Sequence, residues 1–394
     1  MLKKTLLLLL SSLSTLFAVS VEDAFTNGSI NGKMELFYYN IEKDNTPKAY
    51  ATALGGALKY ITDTQQPFFA TFGFHTSNPV GENENKTKTS LFNNDKDGEP
   101  LHALSEANIA YQVTGRVMKL GNLIFNTPMM NEDTTRIVPW SYQGFTYTGK
   151  VTKETQVQLK YIWNIRNHTS SEYTKMSASG EIGDAGITML SFHHMNKDRY
   201  NLQAYYYYAP DLYSTFVAQA DYSILYSDLL YCFGIQWFKS GNGGEFNKRE
   251  NLDGGDDINL IATKLSIDGD DWLASLSYSQ NFGLSGMRKG YGGLTKTYTT
   301  SMVANGRANY KPETWMLKVH YDLPLSEIHS EVALWLTDTK VHDERGKSFF
   351  AHYMHYKHSF TKELSLYVRY EHINYDEPKN NDATYFRFIT TYKF

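Results

Sequence analysis

From Gln156 to Arg166 the chain alternates for eleven residues between two chemistries. Val157, Leu159, Tyr161, Trp163 and Ile165 fall on one parity, and Gln156, Gln158, Lys160, Asn164 and Arg166 on the other, with Ile162 the exception. A period of two is the signature of a strand with one apolar and one polar face. The same pattern recurs along the whole chain. Ile30, Met34, Leu36 and Tyr38 oppose Lys33 and Glu35; Phe68, Ala70, Phe72 and Phe74 oppose Thr71 and His75; Ala107, Ile109 and Tyr111 oppose Glu106, Asn108 and Gln112. Further segments run at Tyr200 to Tyr208, Tyr213 to Tyr222, Leu229 to Lys239, Asn259 to Ile267, Trp272 to Asn281, Trp315 to Asp322 and Glu327 to Thr337. Phe349 to Phe360, Glu363 to Tyr375 and Ala383 to Phe394 end the series, and weaker candidates lie at Tyr173 to Ile182 and Ile187 to Met195. Each is about ten residues long, the length of a tilted strand crossing a bilayer.

The connections alternate as well. Lys311 to Thr314 and Asp268 to Asp271 read as short turns, whereas Asn78 to Pro100, Ser240 to Asp257, Gly283 to Ala304 and Asp338 to Ser348 read as long polar loops. A soluble β-sandwich predicts shorter strands and no such alternation. The expected fold is all-β: a transmembrane antiparallel barrel of about 18 strands, with 16 to 18 equally compatible with the pattern. Composition agrees, since 30 tyrosines and 22 phenylalanines weigh toward strands. Trp163, Trp237, Trp272 and Trp315 stand near strand ends, where an interfacial aromatic girdle is expected.

Met1 to Lys4 is basic, Thr5 to Phe17 is apolar, and Ala18 or Ser20 offers a small residue for cleavage. This reads as a secretory signal peptide over residues 1–20, with the barrel spanning 21–394. Losing Lys3 and Lys4 takes the formal net charge from −4 to −6, so nucleic acid is not an expected partner. The single cysteine, Cys232, cannot form an internal disulfide and falls on the inward parity as a bystander thiol. At the other end Phe386, Phe388, Thr390, Tyr392 and Phe394 share the lipid parity. A terminal aromatic strand of this kind is expected to address the chain to barrel-assembly machinery in the bacterial outer membrane, among lipid and lipopolysaccharide. The mature N-terminal strand should pair with it, because lipid offers no partner to an open edge.

If the apolar parity faces lipid, the other faces the lumen. Lys33, Lys59, Lys119, Lys160, Arg166, Lys264, Lys318, Arg369, Arg387 and Lys393 then point inward against Glu35, Glu106, Asp221, Asp322, Glu331 and Glu371. Cations outnumber acids, which implies water inside and a basic surplus. A barrel this wide needs narrowing. Between the fifth and sixth candidate strands, Lys119 to Gly144 contains a loop braced by Pro128 and Pro139 and carrying Met129, Met130 and Trp140. It is the expected in-folded constriction, with Glu132 and Asp133 facing the path opposite Arg136 to set a transverse field.

Two stretches here resemble the OprD-type outer-membrane porins and the major porins of epsilonproteobacteria. One is the loop: Lys119 and Gly121, Thr127 and Pro128, Thr135, Arg136, Ile137, Val138 and Pro139, then Gly144. The other is Tyr205 to Tyr222, similar to the family's aromatic hairpin with an Asp-Leu-Tyr turn. The resemblance implies an eighteen-stranded barrel, often a homotrimer, that passes ions and small hydrophilic solutes by diffusion. Members that favour carboxylates carry arginines along the lumen. This chain has mostly lysines there, so a general, weakly selective pore is the expectation.

Barrel enzymes of lipid or peptide hydrolysis and adhesive surface barrels are the alternatives. Ser191 with His193 or His194 could be cast as a rim hydrolase pair, though nothing in their spacing singles them out. No phosphate-cradling loop or His-Glu-x-x-His pattern occurs. His352, His355 and His358 are spaced by three, which on a strand sets His355 against the other two, so they do not form a shared metal site. Asp95, Asp97 and Gly98 open like a calcium loop, but Leu104 stands where its glutamate is required. No cofactor is expected, and a looser Ca2+ site in acidic outer loops, including Asp253, Asp256 and Asp257, is left open.

Overall fold

The computed structural model describes residues 21–175, 186–196, 199–210, 213–242, 258–283, 291–304, 311–324, 329–342, 346–376 and 381–394. The first strands are β1 (Ser29–Lys43), β2 (Ala49–Ile61), β3 (Phe68–Pro79), β4 (Leu101–Val113), β5 (Arg116–Leu123), β6 (Ser141–Lys150) and β7 (Thr155–Arg166). After the two-residue β8 (Thr174–Lys175) come β9 (Ile187–Asn196), β10 (Tyr200–Ala209), β11 (Tyr213–Tyr226), β12 (Leu229–Asn242) and β13 (Ile258–Asp268). The last are β14 (Trp272–Asn281), β15 (Pro312–Asp322), β16 (Ser330–Val341), β17 (Phe349–Ser359), β18 (Leu364–Tyr375) and β19 (Ala383–Lys393).

Each long strand pairs antiparallel with its neighbour in sequence, and β7 pairs directly with β9 from Thr155–His194 to Ile162–Ile187. β8 adds only two pairs, to Asn164 and Ile165, so eighteen strands make the wall. β1 pairs β19 from Lys33–Lys393 to Lys43–Ala383, and Gly32 and Phe394 exchange backbone hydrogen bonds of 2.9 and 3.0 Å. The sheet is a closed, antiparallel, eighteen-stranded barrel with no free edge.

Burial follows parity. Phe37 and Tyr39 are buried where Leu36 is 40% exposed, and Ala110 is buried where Ile109 is 66% exposed. Those apolar side chains form the outer band that lipid covers. Trp237, Trp272 and Trp315 belong to it. No helix of the described residues is long and apolar enough to cross a membrane; the strands make the crossing.

Two register shifts interrupt the alternation, one opposite Gly73/Phe74 that leaves Ser105 extra, the other opposite Gln143/Gly144 that leaves Trp163 extra. The second explains Ile162: it lies opposite Gly144, fully buried on the inner face, and the parity reverses beyond Trp163. The Tyr173 to Ile182 candidate yields only the β8 pair, its remainder lying outside the described residues with Asp211 and Leu212 of the aromatic hairpin. Lys311 to Thr314 is not a short turn. Pro312 opens β15, so this stretch closes the long connection from Phe282.

Connections at the end with Gly28 and Phe394 are all short, and the long ones, among them 80–100, 124–140, 243–257 and 282–311, lie at the other end together with short ones at 44–48 and 210–212. From that other end two segments, 124–140 and 291–304, run against inward-facing wall residues. Two apolar clusters result. Met129 and Met130 pack with Tyr142, Ile162, Met189, Tyr207, Phe238, Leu260 and Tyr291. Ile137, Met302 and Ala304 pack with Phe37, Tyr39, Leu91, Phe92, Phe349 and Tyr353.

Candidate functional site

Segment 124–140 begins just past paired glycines. Gly121 lies opposite Gly144, and a Cβ on either would meet a backbone carbonyl oxygen, at 2.2 Å from Ala107 and 2.4 Å from Tyr161. A tight turn follows, in which Thr127 N and Oγ1 donate to Met130 O at 2.7 and 2.8 Å around Pro128. Asn131 then joins the two segments. Its Nδ2 donates to Leu294 O, its Oδ1 accepts from Leu294 N at 3.0 Å, and its backbone N donates to Gly292 O at 3.2 Å. Gly293, at φ +77° and with the Asn131 carbonyl 2.4 Å from where a Cβ would stand, is a position only glycine fills without strain.

Glu132 Oε1 accepts from Asn126 Nδ2 at 2.9 Å, and the Glu132 carbonyl accepts from Trp140 N at 2.8 Å. Asp133 turns back on its own loop: Oδ1 accepts from Thr135 Oγ1 at 2.6 Å, and Oδ2 stands 3.7 Å from His168 Nδ1. Arg136 donates through Nε to Thr89 O at 3.0 Å and lies over the Tyr39 ring at 4.9 Å. Burial, with Arg387 nearby, lowers its pKa to about 10, so it stays cationic at neutral pH. From β19, Arg387 donates to Tyr39 Oη at 3.1 Å and covers the same ring at 4.4 Å; its Nε and Nη1 have no partner. Asp133, Arg136, Arg387 and Tyr39 line one cavity of about 320 Å3 with Thr295 and Val303.

Segment 291–304 was not legible as part of the interior; its glycines, threonines and one lysine read as a solvated outer loop. In the fold, Thr295, Thr297, Thr299 and Ser301 are all buried. Glu371 on β18 accepts from Ser301 Oγ, from Val303 N and, at 3.1 Å, from Ala304 N. Asp221 on β11 accepts from Tyr298 Oη at 2.7 Å, Gln236 Oε1 accepts from Tyr298 N at 3.0 Å, and Ser279 bonds Thr299 at 2.7 Å. Wall carboxylates therefore hold this segment in place.

The wall cations divide into two groups. Lys33 pairs with Glu35 and Lys59 with Glu106, both at 2.8 Å, and Lys264 with Asp221 at 3.4 Å. Lys119 lies over Phe69, and Lys160 lies over Phe125 at 4.9 Å while donating to Gln158 at 2.7 Å. Lys318 lies over Trp335 at 4.5 Å and donates to Thr300 O at 3.3 Å; Arg369 donates to Tyr353 Oη at 3.0 Å. Arg166 departs from the expected lumen position. Beyond the Trp163 bulge it is 1% exposed and donates to Ser105 Oγ, Pro139 O, Ser141 Oγ, Asn167 O and Ser170 O at 2.8–3.2 Å. It ties β4, β6 and β7 together where β5 stops short. Its charge does not reach open lumen.

Ser191 and His193 share the inner face but are not bonded to each other, since Ser191 Oγ and His193 Nε2 both lack a hydrogen-bond partner; His194 instead bonds Thr155 and Tyr200. A nucleophile and its base need that bond. Asp95 and Asp97 flank Lys96 around a short 3-10 turn, and Asp253, Asp256 and Asp257 lie outside the described residues.

A family model described as outer membrane porin, OprD family, matches residues 78–328. No curated protein sequence matches the chain. Among solved structures, Pseudomonas aeruginosa OccK9 (OpdG) superposes with a TM-score of 0.82 at 15% identity, over 94% of this chain and 99% of that one. P. aeruginosa OccK8 (OprE) gives 0.79 at 15% over the same shares. P. aeruginosa OccK2 (OpdF), solved in complex with glucuronate, gives 0.78 at 14%, over 94% and 98%.

Proposed function

The chain belongs to the OprD family of outer membrane porins, and from that premise we propose that it is a water-filled channel with a weak preference for anions, narrowed by segments 124–140 and 291–304. The observation that carries the anion preference is charge left over on the lumen side. Lys119, Lys160, Lys318, Arg136, Arg369 and Arg387 are held by rings and neutral acceptors, and none forms an ion pair among the described residues. Glu371 and Asp221 are meanwhile occupied by the second segment. Cations positioned in this way attract a diffusing anion without binding it tightly. Two of the similar solved structures are named with a bound carboxylate, glucuronate in one and vanillate in the other.

The narrowest part is assigned to the cavity between Arg136, Asp133 and Arg387. Glu132, fixed by Asn126 and the Trp140 backbone, sits off that cavity, so Asp133 is the residue that opposes the arginines. Cleavage of residues 1–20, handling of the C-terminal strand by barrel-assembly machinery and homotrimer formation belong to the same proposal.

The test is current through the refolded protein in a planar bilayer across a salt gradient. Openings in steps of three with a reversal potential on the anion side are expected, and Arg136→Ala with Arg387→Ala should bring that potential toward zero. Silent insertion of a folded barrel, or an unchanged potential in the double variant, would overturn the reading.

A further inference from the structure

At the opposite mouth, β15, β16 and β17 assemble side chains that diffusion does not require. His320, Ala333 and His355 stand in one row across the three strands. Across the small Ala333 side chain the two imidazoles meet edge to face, with ring centroids 5.6 Å apart and planes at 71°. Glu331, two residues before Ala333 on the same face, brings a carboxylate oxygen 3.3 Å from His355 Nε2. Ligand atoms of His320, Glu331 and His355 all lie within 4.8 Å of one another. Beside them a cavity of about 370 Å3 opens toward the short-turn rim, where Asp268, Asp270 and Asp271 stand.

A second, independent observation points to a ligand. His355 is 7% exposed, and its Nε2 makes no well-aligned hydrogen bond although the Glu331 carboxylate stands 3.3 Å away. Its Nδ1 lies 3.0 Å from Tyr353 Oη, which accepts from Arg369 Nε at 3.0 Å and lies 3.2 Å from Tyr367 Oη. Tyr353 can accept from Nδ1–H and donate to Tyr367, which leaves the Nε2 lone pair beside the Glu331 carboxylate, an arrangement that is repulsive unless a proton or a cation lies between them. A second imidazole nitrogen fixed by an outer partner is the usual setting of a ligating histidine.

We propose that His320, Glu331 and His355 bind one divalent first-row transition ion of the Zn2+, Ni2+ or Cu2+ class at this mouth of the barrel. Two imidazoles and one carboxylate suit those ions, whereas Ca2+ and Mg2+ favour all-oxygen sets. Three protein ligands leave positions for water, so the ion stays exchangeable. Contacts already made by these side chains compete with ligation: His320 Nε2 accepts from Trp335 Nε1 at 2.9 Å, and Glu331 stands 3.3 Å from His329 Nε2 and 4.0 Å from Lys357 Nζ. Asp322 and His329 form an adjoining set that shares Glu331 and faces the rim. Binding does not depend on the diffusion reading; only its effect on current does.

The test titrates chelator-stripped, folded full-length protein in detergent with Zn2+ by calorimetry, and with Co2+ by visible absorption. One ion per chain is expected, with a ligand-field band for Co2+, no competition from excess Ca2+ and a change in Trp335 emission. His355→Gln and Glu331→Gln should each weaken binding at least tenfold, with folding checked by heat-modified gel mobility. His329→Ala should weaken it far less. Absent heat and absent band, unchanged affinity in both glutamine variants, or loss only in His329→Ala would each overturn the assignment. Zinc binding in a protein that passes no current would refute the channel and leave the metal site standing.

Discussion

Segments 124–140 and 291–304 meet at Asn131, yet they are held by different physics. The first is anchored by apolar side chains: Met129, Met130, Ile137 and Val138 are each at most 2% exposed and lie in clusters with wall residues. Burying such a side chain contributes about 1.5–3 kcal/mol, and salt does not screen that contribution as it screens a charge interaction. The second is anchored by hydroxyls and backbone N–H groups that converge on Glu371, Asp221, Gln236 and Ser279. Single hydrogen bonds contribute about 0.5–1.5 kcal/mol net, and leaving one unmade inside costs more than making it gains. One segment is mainly a packed wedge; the other is a strap whose middle, from Thr295 to Ser301, is held by polar acceptors while Tyr291 and Met302 at its ends pack among wall side chains.

The largest effect is expected from Met130→Asp. A carboxylate among Tyr142, Ile162 and Phe238 lacks a partner and costs at least several kcal/mol, enough to expel the wedge. Single-channel conductance should rise about two-fold with frequent flicker; an unchanged trace would mean that the wedge does not narrow the path. Next comes Glu371→Ala, which strips the acceptor from Ser301, Val303 and Ala304. Loss of about 2–4 kcal/mol from the strap should give new subconductance states while leaving the barrel's melting transition in place. Were both variants to behave alike, the distinction between wedge and strap would fail.

Asn131→Ala removes the hinge between them and should cost about 1–3 kcal/mol, read as noisier openings at unchanged mean conductance. Smallest is Asp133→Asn, which deletes the one carboxylate that, among the described residues, lines the cavity with Arg136 and Arg387. The reversal potential should move a few millivolts further toward anions, with conductance preserved. Glu132→Gln, off the cavity, should move it less; the opposite ranking would relocate the transverse field.

The barrel was legible because each strand faces two solvents, and period-two alternation records that directly in exposed Ile109 against buried Asn108 or exposed Leu159 against buried Lys160. Where alternation failed, a partner strand was responsible. Nothing local to Gln156–Arg166 says that Trp163 is extra, since the shift is set by the pairing of Gln143 and Gly144. Arg166 was misplaced for that reason. The packing of segment 124–140 was legible through Pro128, Pro139 and two adjacent methionines, which a solvated loop would not carry; that it narrows a channel belongs to the proposal. The strap was not legible, because Thr295, Thr297, Thr299 and Ser301 serve water and a polar wall equally well. The His320, Glu331 and His355 group was illegible for a third reason. Its members come from three strands, and only register sets them side by side.

The seam reaches furthest along the chain. Tyr39 and Arg387 are 348 residues apart, and Glu35 and Thr391 are 356 apart, whereas Asn131 and Leu294 are separated by 163. By chain entropy alone the longer closure costs only about 0.7 kcal/mol more than the shorter. The first strand is tied to the last, so loosening either terminus opens the whole ring, whereas a break at Asn131 leaves it closed.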